Sequence, residues 1–306
     1  VASDSTATWW NPAGIAAGPF VDLGSGRDRV EVTEQAPAWR HKSSWYALGT
    51  PTLGLSYYRF RITDVQSLGP IAPGASGRPP ERGDVPVQSV ALSQLGVTIV
   101  RSLVSGVHVG TTLKHVRGTV RSGPFDGIDQ SAASLSAALE QGDALEGGEA
   151  ENRFDLDVGI IAVSGPLRLG AVVRNVREPE FFTSADVPDA LATGMRLPRQ
   201  VRLGAAFDGA AVGSVPLTVA FDADVRTYLT TSGERRMIAL GVEQWILGRR
   251  VGLRAGGRVN TRGARERVAT AGLTVAAGGG LFLDGFAVRG GTEEERGWGL
   301  ATRISF

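Results

Sequence analysis

Two pairs of aspartates are the residues whose spacing most clearly suggests chemistry. Asp155 and Asp157 are two positions apart, as are Asp222 and Asp224, so on an extended strand each pair points to one face. Paired carboxylates can bind a divalent cation or carry out general acid–base catalysis. The sequence is also rich in arginine, which forms bidentate, charge-assisted hydrogen bonds with carboxylates. We therefore expect a structural arginine–carboxylate network, with neither a metal site nor a cofactor.

Nucleophilic catalysis has few candidate residues in this chain. The sequence contains no cysteine and 3 histidines, His41, His108 and His115. None of the three lies beside an aspartate or a convincing serine motif. No G-x-S-x-G, H-E-x-x-H, Walker A or G-x-G-x-x-G motif stands in the structural context that its chemistry requires. The sequence thus predicts a protein that is not an enzyme.

Charge and hydropathy exclude two further classes. The formal net charge is +1, from 32 basic and 31 acidic residues, and no local basic excess stands out. A nucleic-acid partner is therefore not expected, because such proteins carry a basic patch or stripe. A membrane-spanning helix is not expected either, since it needs a run of about 18 or more apolar residues. The glycine content, 42 residues, follows no three-residue period and so does not indicate collagen.

The elements that would position the charged groups are strands. Apolar residues recur at every second position through most of the chain, as from Val215 to Val225, and long helical periodicity is nearly absent. Fourteen segments have this character: 27–36, 43–49, 52–62, 86–101, 105–120, 153–163, 166–177, 199–208, 214–226, 235–247, 250–261, 266–276, 280–288 and 297–306.

Short and long connections largely alternate between these segments, which is typical of an outer-membrane barrel. A soluble sandwich also alternates in polarity, but here the apolar faces of at least eight strands carry no charge. Strand edges are not tolerated in lipid, so fourteen such strands must close on themselves. We predict an all-β fold, a closed antiparallel transmembrane barrel. The charged residues expected to line its lumen are Asp155, Asp157, Arg168, Arg174, Arg202, Asp222, Asp224, Glu243, Arg254, Arg258 and Arg303.

The N-terminal sequence carries a family resemblance. Asn11-Pro12-Ala13, directly before the first strand, resembles the Asn-Pro-Ala segment near the start of FadL-type long-chain fatty-acid transporter barrels. Related PorV-type barrels of the type IX secretion system share this segment. Weaker echoes lie at 167–176, 197–206 and 254–260. The resemblance implies a fourteen-stranded barrel in a bacterial outer membrane, although members of both groups are usually longer than this chain.

The Asn11-Pro12-Ala13 segment has two interpretations. Pro12 fixes its own φ and favours an extended Asn11, as in a simple turn that leads into the first strand. The resemblance instead implies a plug that turns into the lumen. We divide the chain into an N-terminal plug or turn segment, 1–26, and a barrel, 27–306. Because the chain opens at Val1 without a signal peptide, we expect that an upstream segment was removed.

Two functions remain open for such a barrel. The first is a passive channel for the uptake of small hydrophobic or amphipathic compounds, with membrane lipids and a hydrophobic small molecule as partners. The second is a non-transporting structural or secretion-associated barrel that scaffolds envelope proteins. The aromatic residues that could contact a ligand are Tyr57, Tyr58, Phe60, Phe181 and Phe182. A short helix is predicted at 129–141, either as a decoration outside the barrel or as a lid or plug inserted in the lumen.

Overall fold

The computed structural model describes residues 2–33, 38–65, 85–125, 132–182, 194–213, 215–230, 233–263, 266–291 and 295–306. In chain order the strands within these ranges are β1 (Asp22–Val32), β2 (Ala38–Gly49), β3 (Leu53–Val65), β4 (Val85–Val104), β5 (Val107–Phe125), β6 (Glu151–Ser164), β7 (Leu167–Arg174), β8 (Glu180–Phe182), β9 (Gly194–Arg196), β10 (Gln200–Asp208), β11 (Leu217–Asp224), β12 (Tyr228–Thr230), β13 (Gly233–Arg235), β14 (Met237–Ile246), β15 (Val251–Asn260), β16 (Arg267–Gly278), β17 (Leu281–Gly290) and β18 (Arg296–Ser305). The α-helices are α1 (Ala7–Trp10) and α2 (Ala132–Ala144).

Fourteen of these strands form a closed antiparallel barrel, which confirms the predicted fold. β1 closes the barrel against β18, with Leu23 opposite Ile304. The other four strands form two hairpins, β8 with β9 and β12 with β13. Sequence alternation missed both hairpins because each of their strands has only 3 residues. β1 begins at Asp22, before the predicted residue 27, in a stretch where Gly24 and Gly26 interrupt the apolar pattern.

The outer face of the barrel is apolar. On β3, Leu53, Leu55 and Tyr57 are exposed, whereas the intervening Gly54 and Ser56 are buried. Large hydrophobic side chains are exposed in the same way around the rest of the wall, for example Leu169, Leu203, Leu240, Leu253, Leu273 and Leu300. An apolar outer band with polar groups inside is the pattern of a barrel that spans a membrane. Within the described residues, no helix is long and apolar enough to cross one.

The two ends of the barrel differ. Short turns at 50–52, 105–106, 165–166, 247–250 and 279–280 lie at one end, where β1 begins and β18 ends. The longer connections lie at the other end, which in outer-membrane barrels faces the cell exterior. The wall is also taller on one side: β4 and β5 have 20 and 19 residues, whereas β7 and β11 have 8 each.

Helix α2 packs on the outer face of this taller wall. Its Leu135 and Leu139 are buried in one cluster with Val65 and Val87, which are cross-strand partners on β3 and β4. Val65 continues the outward series of Leu53, and the strands pair without a register shift. The predicted helix is therefore present, displaced toward the C-terminus, as a decoration on the outside; residues 129–131 of the prediction lie outside the described residues.

Candidate functional site

The N-terminal segment lies inside the barrel. Helix α1 and a 3₁₀ helix, Pro12–Ala17, together contact strands β3 to β6. Asn11 joins the two helices in an extended conformation, with φ −160° and ψ 107°, which is favoured for a residue before proline. Pro12 occupies the first position of the 3₁₀ helix, where its missing N–H removes no helical hydrogen bond. The sequence therefore folds locally into a compact turn that fits against a curved wall.

Asn11 ties this turn to the wall. Its side-chain amide donates to the carbonyl oxygens of Ile160, at 3.0 Å, and Ala171, at 3.3 Å. These two residues are cross-strand partners on β6 and β7. The Asn11 side-chain oxygen accepts a hydrogen bond from the backbone N–H of Ala13 at 3.1 Å. Asn11 and Ala13 are buried, so these hydrogen bonds satisfy polar groups that bulk water does not reach.

Two glycines make room for the turn. Gly110 and Gly159 face each other on β5 and β6. A Cβ atom at Gly159 would lie 2.0 Å from the side-chain oxygen of Asn11, and one at Gly110 would lie 2.4 Å from the backbone nitrogen of Ala13. Real Cβ atoms do not approach so closely, and the atoms they would meet belong to a fixed turn. The wall is therefore shaped for this segment.

An aromatic cluster fills the lumen beside α1. The ring of Trp9 lies 4.8 Å, between centroids, from the rings of both Tyr58 and Phe60. Phe181 of the β8–β9 hairpin is fully buried in the same cluster. A Cβ atom at Gly118 would lie 2.4 Å from the Phe181 ring, so this glycine provides the space for it. Three of the five predicted aromatic residues are thus brought together, with Trp9 as a member that sequence reasoning had not assigned to them.

The other two predicted aromatic residues lie elsewhere. Tyr57 is 41% exposed and Phe182 is 52% exposed. Each is the chain neighbour of a cluster residue on a strand, and successive side chains on a strand point to opposite faces. Tyr57 accordingly belongs to the outer face of β3, and Phe182 to the outward side of its hairpin. Neither can contact a ligand that sits with Tyr58, Phe60 and Phe181, so for these two the expectation is corrected.

Each of the six arginines predicted to line the lumen has a carboxylate partner. The pairs are Arg168–Asp208 at 3.5 Å, Arg174–Asp157 at 3.9 Å, Arg202–Asp224 at 2.8 Å, Arg254–Glu243 at 3.2 Å, Arg303–Asp4 at 3.5 Å, and Arg258–Glu295. Three of these carboxylates, Asp4, Asp208 and Glu295, were not among the predicted residues. They stand in the N-terminal segment, at a strand end and in a loop, where alternation gives no signal.

Lys114 organises the first aspartate pair. Its ammonium lies 2.7 Å from a carboxylate oxygen of both Asp155 and Asp157 and 2.8 Å from the side-chain oxygen of Asn175. The lysine side chain is 4% exposed, so the charges compensate one another away from water. The ammonium occupies the position between the two carboxylates that a cation would take. Sequence reasoning missed Lys114, although it stands directly opposite Asp155 in the β5–β6 register.

The open part of the lumen lies beside the N-terminal segment, which forms part of its lining. One cavity of about 540 Å³, which we call the upper cavity because it lies toward the long-loop end, is lined by Trp9, Val172 and Met237 together with arginines, among them Arg174 and Arg202. A second, of about 880 Å³, reaches toward the short-turn end. Both are lined by Ala2, Asp222, Ala239 and Arg258, so they adjoin and follow the barrel axis. The lumen is thus filled on the β3–β6 side and open along the β7–β18 side.

Arg174 is the most buried cation of this open path. Its guanidinium carbon lies 3.8 Å from the centroid of the Trp9 ring, a cation–π contact. Its Nε atom is buried and has no hydrogen-bond partner within the described residues. Apolar rings and cationic groups therefore line the upper cavity side by side, which suits a compound with an apolar body and a polar end.

Burial shifts the pKa values of two ionisable groups that lie outside the fourteen barrel strands, at the long-loop end. Burial raises the pKa of Tyr228 above its ordinary value, and the charge of Asp224 adds to this. Burial likewise raises the pKa of Glu295, although Arg258 and Arg235 oppose the shift. At neutral pH the Tyr228 phenol therefore stays protonated at the edge of the upper cavity, where it can donate a hydrogen bond.

Comparison with known proteins gives a partial family match and extensive structural similarity. Residues 81–224 match the family model described as "F plasmid transfer operon, TraF, protein", which covers less than half of the chain. A search of curated protein sequences finds no match.

Among solved structures, a FadL homologue of Pseudomonas aeruginosa aligns with a TM-score of 0.63 and 10% identity over 100% of this chain and 95% of its own. The toluene transporter TbuX of Ralstonia pickettii gives 0.62 and 12% over 99% and 94%. CymD, a monoaromatic hydrocarbon channel, gives 0.60 and 11% over 99% and 93%. The closed barrel of fourteen strands shares its architecture with all three proteins. The chain therefore has the fold of the FadL-type outer-membrane barrels.

Proposed function

We propose that the protein is a passive outer-membrane channel for the uptake of small hydrophobic or amphipathic compounds. The observation that carries the proposal is the pair of adjoining cavities that follow the barrel axis past Trp9 and Arg174. Their lining combines apolar side chains with arginines, so a compound with an apolar body and a polar or anionic end finds partners for both. Solved barrels of the same fold include a toluene transporter and a monoaromatic hydrocarbon channel, which supports this substrate class.

In this proposal the N-terminal segment narrows the lumen. It is held on one wall by Asn11 and by the two glycines that seat it, and solutes pass on the other side. No catalytic step is part of the proposal. The three histidines lie apart: His41 stacks on Phe60, His108 contacts Ser102, and His115 packs against the ring of Phe154.

Narrowing the path where the two cavities adjoin tests the proposal. Ala239 lines both cavities, and Ala239→Trp would place an indole in the passage. Ala271 is exposed on the outer face of β16, so Ala271→Trp is the matched control. In proteoliposomes we expect Ala239→Trp to reduce uptake of a labelled amphipathic aromatic compound at least several-fold, and Ala271→Trp to leave it near the wild-type rate. Equal uptake by all three proteins would contradict a path along these cavities.

A second candidate function is a non-transporting barrel that scaffolds envelope proteins. The observation that favours it is the family match at residues 81–224, whose description refers to a plasmid transfer operon. The same proteoliposomes separate the two candidates. If the wild-type protein gives no uptake above that of protein-free liposomes for any compound of this class, the scaffold is favoured.

A further inference from the structure

A row of arginines faces outward just above the apolar band on the taller wall. Arg27, Arg59 and Arg117 are all exposed and stand in phase with the lipid-facing leucines of their strands, such as Leu55 and Leu113. The pairing of β1 to β5 places them side by side: the row reads Arg27, Ser44, Arg59, Ser93 and Arg117. We call these five residues the arginine row.

The surface below the arginine row changes in regular steps. Two residues along each strand toward the short-turn end, the same register aligns Ser25, Tyr46, Tyr57, Leu95 and His115. One further step aligns Leu23, Leu48, Leu55, Val97 and Leu113. Each step is two residues, or about 7 Å along a strand. Tyrosines collect at the membrane–water boundary of barrels, so the arginine row lies at the level of lipid headgroups, on the long-loop side.

The cations above the arginine row have hydrogen-bond partners within the protein. Arg29 and Arg40 both donate to Glu31. Asp143 of α2 accepts from Arg40 and Lys42, and its backbone carbonyl accepts from Arg61. Burial would raise the pKa of Asp143, but the hydrogen bonds from Lys42, Thr63 and Arg40 outweigh it and hold the pKa below its ordinary value. Asp143 is therefore ionised at neutral pH and forms ion pairs with Arg40 and Lys42.

The arginine row has no such compensation. Among the residues that the structure describes, no carboxylate lies within ion-pair distance of Arg27, Arg59 or Arg117. The three arginines are separated from one another by one serine-bearing strand each, which corresponds to about 10 Å between neighbours. Exposed guanidinium groups bind phosphate bidentately. Three guanidinium groups with no carboxylate partner among the described residues thus stand at headgroup height.

We propose that the arginine row binds the phosphate groups of a phosphorylated glycolipid of the outer leaflet, whose acyl chains lie against the leucines below. A solute in the lumen cannot reach these side chains, because they lie on the opposite face of the wall. The position directly above an apolar band favours a lipid over a soluble acidic protein. The inference rests on the placement of the barrel in an outer membrane, and it is independent of what crosses the lumen.

Removing two charges from the arginine row tests the proposal. The variant is Arg59→Gln/Arg117→Gln, and the matched control is Arg101→Gln/Arg250→Gln, which removes two exposed arginines at the short-turn end. Purified protein in detergent is titrated with bisphosphorylated lipid A, and bound lipid is counted by native mass spectrometry. Each arginine at an anionic surface contributes about fivefold in affinity. We expect roughly 25-fold weaker binding by the first variant and wild-type binding by the control.

Two further arms identify the recognised chemistry. Lipid A without phosphates should bind the wild-type protein and the first variant equally weakly. Arg59→Lys/Arg117→Lys keeps the charge but loses the bidentate geometry, so its affinity should fall between those of the wild-type protein and the first variant. Heat-modified migration in gels verifies that every variant is folded. If Arg59→Gln/Arg117→Gln binds bisphosphorylated lipid A as tightly as its control, or if removing the phosphates leaves wild-type binding unchanged, the proposal is overturned.

Discussion

Replacing Asn11 by alanine should release the N-terminal segment from the barrel wall. The substitution removes two hydrogen bonds donated to the carbonyls of Ile160 and Ala171 and one accepted from Ala13. Only the two hydrogen bonds to Ile160 and Ala171 join the segment to the wall, so at about 1 kcal/mol each its docking loses about 2 kcal/mol. Because every 1.4 kcal/mol is a factor of ten, the released state should become about 30-fold more populated.

Hydrogen–deuterium exchange measures this release directly. Amide protons of residues 7–17 exchange only when the segment opens, so their exchange should accelerate about 30-fold in Asn11→Ala. Exchange in β14 to β17 should stay as in the wild-type protein. Asn152 is exposed, so Asn152→Ala serves as the control and should leave the segment protected. Unchanged exchange of residues 7–17 in Asn11→Ala would refute the idea that Asn11 anchors the segment.

Three further outcomes are expected. Gly159→Ala should also expose residues 7–17 to hydrogen exchange, because its Cβ would clash with Asn11. Overpacking of this kind costs about 1–3 kcal/mol. If these amides stay as protected as in the wild-type protein, the clash does not occur. Lys114→Met leaves Asp155 buried without its cation and Asp157 with Arg174 alone, 3.9 Å away. Breaking a buried ion pair costs about 3–5 kcal/mol, so thermal unfolding in detergent should move to lower temperature. An unchanged transition would argue against the network. The pKa of Asp143 is lowered in the folded protein. Its contribution to α2 docking is therefore present above the ordinary carboxyl pKa, about 3.9, and is lost as the pH falls below that value. Protease accessibility of α2 should rise in this acid range, and Asp143→Asn should remove that pH dependence.

The barrel could be predicted from the sequence because the membrane imposes a simple pattern. A strand with lipid on one side and charged groups on the other must alternate, and each of the fourteen predicted segments corresponds to one strand of the closed barrel. The start of β1 was placed too late because its first residues include Gly24 and Gly26, which carry no polarity signal. The hairpins β8–β9 and β12–β13 were missed because strands of 3 residues are too short for a period to be recognised.

The site could be predicted only in part, because it depends on register. Alternation along β3 separates Tyr58 from Tyr57 once the inner face is known, but it does not say which neighbours Tyr58 meets. Lys114 joins the aspartate pair because it stands opposite Asp155 on the adjacent strand. The arginine row likewise exists only across five paired strands. Single-strand patterns contain no information on such lateral neighbours.

The most direct test of the uptake proposal is the initial rate at which proteoliposomes take up a labelled amphipathic aromatic compound that crosses pure lipid slowly. The wild-type barrel should give a rate that is well above that of protein-free liposomes and increases in proportion to the amount of reconstituted protein. A rate equal to that of protein-free liposomes, with correctly folded barrel in the membrane, would contradict the proposed uptake function.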